Sequence, residues 1–193
     1  MLASNFACMR TVLASLSIAL CLLSWSQSTG PSDPGVELTY ARSISVMLTN
    51  EQLHDLALDA WTWTFGTQPG ARIIRNDRST GAIEATARFN FRSSMLTMRE
   101  ETMGVVEYKV TIRAGDGECR VQVTDVTHTG NRSTTMGGVH AGVLTREHGG
   151  RRIRGMSRAH GMELRGELLE AGDRNIGAML DGFEARLRAN AGE

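Results

Sequence analysis

The sequence predicts an α+β domain in the order β-α-β-β-β-β-α, an antiparallel sheet with helices on one face. Three observations carry this. Between Val36 and Val126 most of the chain alternates apolar and polar residues with a period of two, broken into strand-length runs by turn residues. A single capped stretch of helical period follows the first run. A second helical pattern closes the chain from Glu163 onward.

The first run places Val36, Leu38, Tyr40, Ile44, Val46 and Leu48 on one face, with Arg42 interrupting it. Its length and that interruption predict a bend or bulge near Arg42. Thr49 and Gln52 then form a capping box. Leu53, Leu56, Ala57, Ala60, Trp61, Thr64 and Phe65 fall on one helical stripe, which Gly66 is expected to stop. Trp61 is on that stripe and so reads as core, and Trp63 reads as cover for a neighbouring strand.

Ile73-Ile74 is a short second strand, and Asp77 to Gly81 is a hairpin loop in which Gly81 supplies a positive φ. Ile83, Ala85, Ala87, Phe89 and Phe91 give the inward face of a third strand. Ser93 to Met103 reads as a longer polar loop. Val106, Tyr108, Val110 and Ile112 give a fourth strand; Cys119, Val121 and Val123 give a fifth, beyond the turn at Ala114-Gly115-Asp116-Gly117. From Thr127 to Gly161 no period is visible, and the segment is read as a long Gly/Arg-rich loop. In the final helix Leu164, Leu168 and Leu169 form one stripe. Ile176, Met179, Leu180, Phe183 and Leu187 form another, and Gly172-Asp173 is the expected break between them. One domain over 36–190 accounts for all of these elements.

Before that domain, residues 1–26 have the layout of a secretory signal. Arg10 lies ahead of the apolar run Val12 to Leu23, and small residues flank Trp25 so that cleavage falls after Ser26. Met9 is an alternative start to Met1, and an uncleaved anchor helix is the alternative to cleavage, although the run is short for a span. Leu20 before Cys21 disfavours a lipid anchor. Residues 27–35 read as a polar flexible linker. Cleavage removes Cys8 and Cys21 and leaves Cys119, whose parity with Val121 and Val123 makes it a buried structural thiol. The expected location is therefore the periplasm or cell envelope, or the medium.

The chain of 193 residues has zero formal net charge and 41% apolar residues. It has no overall basic excess to draw nucleic acid, and it is apolar enough for a core. His54, His128, His140, His148 and His160 have no metal-ligand spacing, and the four in or beside the 127–161 loop read as solvated. Gly137 to Gly142 lacks the lysine and the strand–loop–helix context of a phosphate loop, and no nucleophile elbow exists. No catalytic residue, cofactor or metal is expected. One local basic cluster stands out: Arg146, Arg151, Arg152, Arg154 and Arg158, with Arg165 beyond. Interleaved glycines could help it hold an anion or an acidic partner.

The helix Leu53 to Phe65, the hairpin Asp77 to Gly81 followed by Ile83, and Tyr108 to Ile112 leading to Asp116-Gly117 and Cys119-Arg120 are ordinary features singly. Together, over about 44–127, they resemble the exported bacterial family known as a domain of unknown function with a TBP-like fold. That resemblance implies the fold and export. It implies no activity, because the family supplies none, and "TBP-like" describes topology rather than DNA binding. The expected function is a non-enzymatic envelope domain that binds another protein or an anionic envelope component. Its surfaces would be the arginine-rich loop and the outer sheet face with Arg88, Arg92, Lys109, Arg113 and Arg120. The alternative is a small-ligand binder or enzyme with a pocket between the sheet and the 127–161 loop.

Overall fold

The computed structural model describes residues 36–94, 99–134, 137–146 and 152–192. The leader 1–26, the linker 27–35 and Arg151 lie outside the described residues. Its elements are β1 (Tyr40–Ser45), α1 (Asn50–Trp63), β2 (Arg72–Asp77), β3 (Ala82–Phe91), the short α2 (Arg99–Thr102), β4 (Gly104–Gly115), β5 (Glu118–Gly130), β6 (Gly142–Val143) and α3 (Arg158–Ala191). The strands form one antiparallel sheet in the order β1-β5-β4-β3-β2, with β6 paired to β5. The helices α1 and α3 pack on each other and on one face of the sheet.

The alternation predicts the buried face well. Ile83, Ala85, Ala87, Phe89 and Phe91 of β3 are buried, as are Val106, Tyr108, Val110 and Ile112 of β4 and Cys119, Val121 and Val123 of β5. Leu53, Ala57, Ala60, Trp61 and Phe65 meet them from the α1 side; Leu164, Leu168, Ile176, Leu180, Phe183 and Leu187 do so from α3. Phe65 lies at the centre, 6.3 Å from the Tyr108 ring and 6.4 Å from the Phe183 ring. The Thr49/Gln52 capping box is present. The α-helix ends at Trp63, ahead of Gly66, because the Thr64 hydroxyl donates back to the Ala60 carbonyl and the chain tightens into a 3₁₀ turn over Phe65–Thr67. Trp63 covers no strand: it is 64% exposed and stacks under the Arg186 guanidinium of α3.

Three other expectations are corrected. The first strand is not bent at Arg42, which pairs in register with Val121. Its side chain stays on the helix side of the sheet because Asp181 and Glu184 of α3 hold it, at 2.8 and 2.7 Å. Nor does α3 break at Gly172-Asp173; it runs 34 residues from a Ser157 cap that precedes Glu163 by six positions. Gly172 is a close-approach residue, since a Cβ there would stand 2.9 Å from the Tyr40 hydroxyl, which donates to Asp173 at 2.8 Å. Finally, the segment from Ser93 to Met103 contains the turn of helix α2.

The largest correction concerns β5, which continues through Gly130 into the segment read as loop. Its pairing with β4 shifts between Glu107 and Lys109, so that Asp125 and Val126 together face Tyr108. Asp125 takes φ 56°, and among the described residues it alone has a positive φ without being glycine. This bulge moves the inward set from odd to even positions: Val126 and His128 are buried where Val121 and Val123 were before it. The described residues beyond it fold back on this extension. Val139, Ala141, Leu144, Ile153 and Met156 are buried, and Leu38 donates its N–H to the Leu144 carbonyl at 2.8 Å. Because Asp tolerates the left-handed region and a β-branched residue does not, Asp125→Val is expected to cost about 1–2 kcal/mol. Asp125→Gly is expected to be close to neutral. Equal denaturation midpoints for both variants would contradict this account of the bulge.

Candidate functional site

With α1 and α3 on one side, the sheet presents its other face uncovered by either helix. The strand register arranges that face in rows. Arg72, Thr86 and Lys109 form one row, Arg88, Glu107 and Thr127 the next, then Asn90, Val105 and Thr129. In the opposite direction lie Glu84, Thr111 and Gln122, and then Arg113, Arg120 and Ser43. The face is mixed in charge and partly self-paired. Lys109 meets Glu84 at 3.2 Å, Arg88 meets Glu107 at 3.9 Å, and Arg120 meets Glu118 at 3.7 Å. At such exposure these pairs contribute little to stability.

Among the described residues, two hollows on this surface stand out. One, of about 560 Å³, is lined by Gly70, Arg72, Arg88, Glu107, Lys109, Asp125 and Thr127, among others. It lies where the Asp125 bulge interrupts the regular pleat. Gly70, at φ +64°, leaves room for Arg88 to lie across it; a Cβ there would stand 2.9 Å from the guanidinium Nε. The other, of about 650 Å³, lies at the far end of the sheet among Asn90, Arg92, Met103, Thr129, Arg132 and Ser133. Both offer guanidinium and hydroxyl donors beside main-chain groups, a donor set suited to carboxylates and other oxyanions.

Of the arginines singled out from Arg146 to Arg165, all but Arg151 are among the described residues. Arg146 is exposed and lies over the Tyr40 ring, 5.5 Å from its centroid. Arg152, Arg154 and Arg158 are exposed, Arg165 is half-buried, and none of them lines either hollow. The outer-face set is better placed: Arg88 and Lys109 line the first hollow and Arg92 the second, with Arg113 and Arg120 at the other end of the sheet.

Two histidines that read as solvated have structural partners. His128 is 1% exposed, packs edge-on to Phe91 at 5.5 Å, and accepts the Ala141 N–H on Nδ1 at 3.3 Å. His140 accepts the Gly130 N–H in return, at 3.2 Å. Burial holds the His128 pKa down at about 4, helped by the charge of His140 and opposed by a backbone group of Thr102. The signal that could have found it is the slip in alternation after Val123. His54 is also buried, with Nε2 2.8 Å from the Asn76 carboxamide oxygen. Cys119 is buried, and burial pushes its thiol up to about 12, so it stays protonated and unreactive. Among the described residues no group of three or more His, Cys, Asp or Glu is placed to hold a metal ion. No described helix is long and apolar enough to cross a membrane.

Residues 41–129 match the model of a family described as "Domain of unknown function (DUF4468) with TBP-like fold". The match takes in β1 through almost all of β5, including the bulge. No curated protein matches the chain. Among solved structures, a DUF4468 family protein from Bacteroides ovatus is similar at 15% identity and TM-score 0.47, covering 79% of this chain and 89% of that one. A TBP-like protein from Parabacteroides distasonis is similar at 10% identity and TM-score 0.48, covering 80% and 96%.

Proposed function

For a chain that resembles the family of unknown function with a TBP-like fold, we propose a non-enzymatic binding domain, exported to the cell envelope, that holds a partner protein or anionic envelope component on the open face of its sheet. The observation that carries this reading is the first hollow. Arg72, Arg88 and Lys109 from three adjacent strands converge there, on the face that neither long helix covers. A fold that puts its apolar side chains under two helices leaves this face to polar contacts. Export is supported by the signal-like layout of residues 1–26.

Photo-crosslinking in the exporting cell tests both parts. A crosslinker at Thr111 on the open face is expected to give discrete envelope adducts, and one at Arg174 on the exposed side of α3 is expected to give none. The purified chain should have lost 26 residues by mass. Adducts from Arg174 alone would overturn the choice of face, and an intact or diacylated N-terminus would overturn the processing.

The second hollow supports a second reading, a small-ligand site between the ends of β3 and β4 and the 129–133 turn. It predicts a small molecule that co-purifies and is released by Arg92→Ala.

A further inference from the structure

We propose that the end of the open face formed by Arg113, Arg120 and Met47 is a docking point for a protein segment carrying carboxylates beside apolar side chains. This rests on the open-face reading above and specifies the chemistry of its partner. Arg113 of β4 and Arg120 of β5 stand directly opposite each other in the register. Like charges directly opposite across two strands repel, so the sheet gains nothing by placing them there. No neighbour on the row relieves them. Arg113 is exposed, and among the described residues no ion pair or hydrogen bond engages it. Arg120 has only a 3.3 Å contact to the Ser43 hydroxyl and the distant Glu118. Glu84, the nearest acid on β3, is already engaged by Lys109 and Arg75. A carboxylate entering between the two guanidinium groups would remove their repulsion and gain charge-assisted hydrogen bonds.

Met47 supplies an independent observation. It follows β1 in a bend, where Leu48 donates its N–H to the Val46 carbonyl at 2.8 Å; it is 94% exposed, and no other large apolar side chain of the described residues is so exposed. It does not hang loose: Val46 donates to the Gly117 carbonyl at 3.0 Å, and the Leu48 carbonyl accepts from Gly117 at 3.0 Å. The main chain at Met47 is therefore fixed beside the β4–β5 turn, at the end of the sheet where the two arginines stand. Methionine and arginine are both enriched at protein interfaces. The neighbouring acid Glu118 weighs against an anionic lipid surface or a uniform polyanion, which it would repel, and in favour of a partner of mixed chemistry.

The test uses the chain as purified from the cell that exports it, with methionine methyls and arginine Nε–H groups followed by NMR. The probes are a short peptide alternating glutamate and leucine, its lysine–leucine counterpart, and phosphatidylcholine vesicles containing phosphatidylglycerol. The glutamate peptide is expected to shift Met47, Arg113 and Arg120, and the other two probes are not. Arg113→Ser with Arg120→Ser should weaken the peptide about tenfold or more. Removing a like-charge pair should leave the fold intact, which the unchanged methyl spectrum of the other methionines verifies. Preferential shifts with vesicles would make this a membrane contact and overturn the proposal. Shifts confined to Arg72 and Arg88 would overturn this placement while sparing the open-face reading. No shift anywhere on the face would count against both.

Discussion

Gly81→Ala is expected to destabilise the domain by about 3–4 kcal/mol, lowering Tm by about 10 °C, while Gly117→Ala costs about 1 kcal/mol. Both glycines hold a left-handed backbone, φ +65° and +79°, so both substitutions incur the same conformational penalty. They differ in what the new methyl meets. At Gly117 nothing lies within 4 Å. At Gly81 the Cβ would stand 2.1 Å from the Ala114 carbonyl oxygen and 2.4 Å from the Asn50 carboxamide oxygen. The first of these is backbone of β4, and it cannot rotate away. Ala114 also donates its N–H to the Gly81 carbonyl at 2.8 Å, so any separation lengthens a hydrogen bond that joins the β2–β3 hairpin to β4. Asn50 begins α1, and its own N–H is held by Asp116 at 2.8 Å. One methyl group on the hairpin therefore presses on both β4 and α1. Thermal or urea unfolding of the two variants measures the difference directly, and equal losses would refute the collision.

Stability is expected to fall by about 3 kcal/mol between pH 6.5 and pH 4 through His128 alone. Its pKa is lowered in the folded chain from 6.5 to about 4, so across that window the unfolded chain binds the extra proton and the folded chain does not. The contribution is fully present above pH 6.5, is lost as pH falls, and levels off near pH 4. The structural consequence is local. A proton on Nδ1 removes the acceptor of the Ala141 N–H, and Ala141 is buried. The strand pair His128↔Gly142 should therefore open first, and β6 with it. His128→Asn offers a carboxamide oxygen near the Nδ1 position and does not titrate. Urea unfolding of the two proteins at pH 7 and pH 4.5 should show the gap between them shrinking or reversing at the lower pH. Parallel pH dependence would show that His128 is not the source.

Much of the fold is legible in the amino-acid sequence, for a local reason. Alternation in β3 and β4 has a period of two over five residues or more, and no other element type presents that pattern. The Thr49/Gln52 box and the positive φ at Gly81 depend on a few adjacent residues, and both are present in the structure. The candidate site is legible only in outline. Arg88, Arg92, Lys109, Arg113 and Arg120 can be assigned to one face by parity. That Arg113 stands opposite Arg120, or that Arg88 pairs with Glu107, depends on a register between strands that parity does not define.

What the chain determined on its own was the order of its elements and which side of each strand is apolar, because both follow from spacing along the chain. Only the tertiary structure decided where that spacing changes. The Asp125 bulge reverses the parity of β5, so a regular strand with His128 in its core resembles a loop when read residue by residue. Gly172 resembles a helix break until Tyr40 is seen to need its missing side chain. Both are responses to a neighbour more than 15 residues away, Tyr108 in one case and Tyr40 in the other. The open face itself is a tertiary fact: α1 and α3 both pack on one side of the sheet, and the basic residues on the other side are left uncovered by either helix.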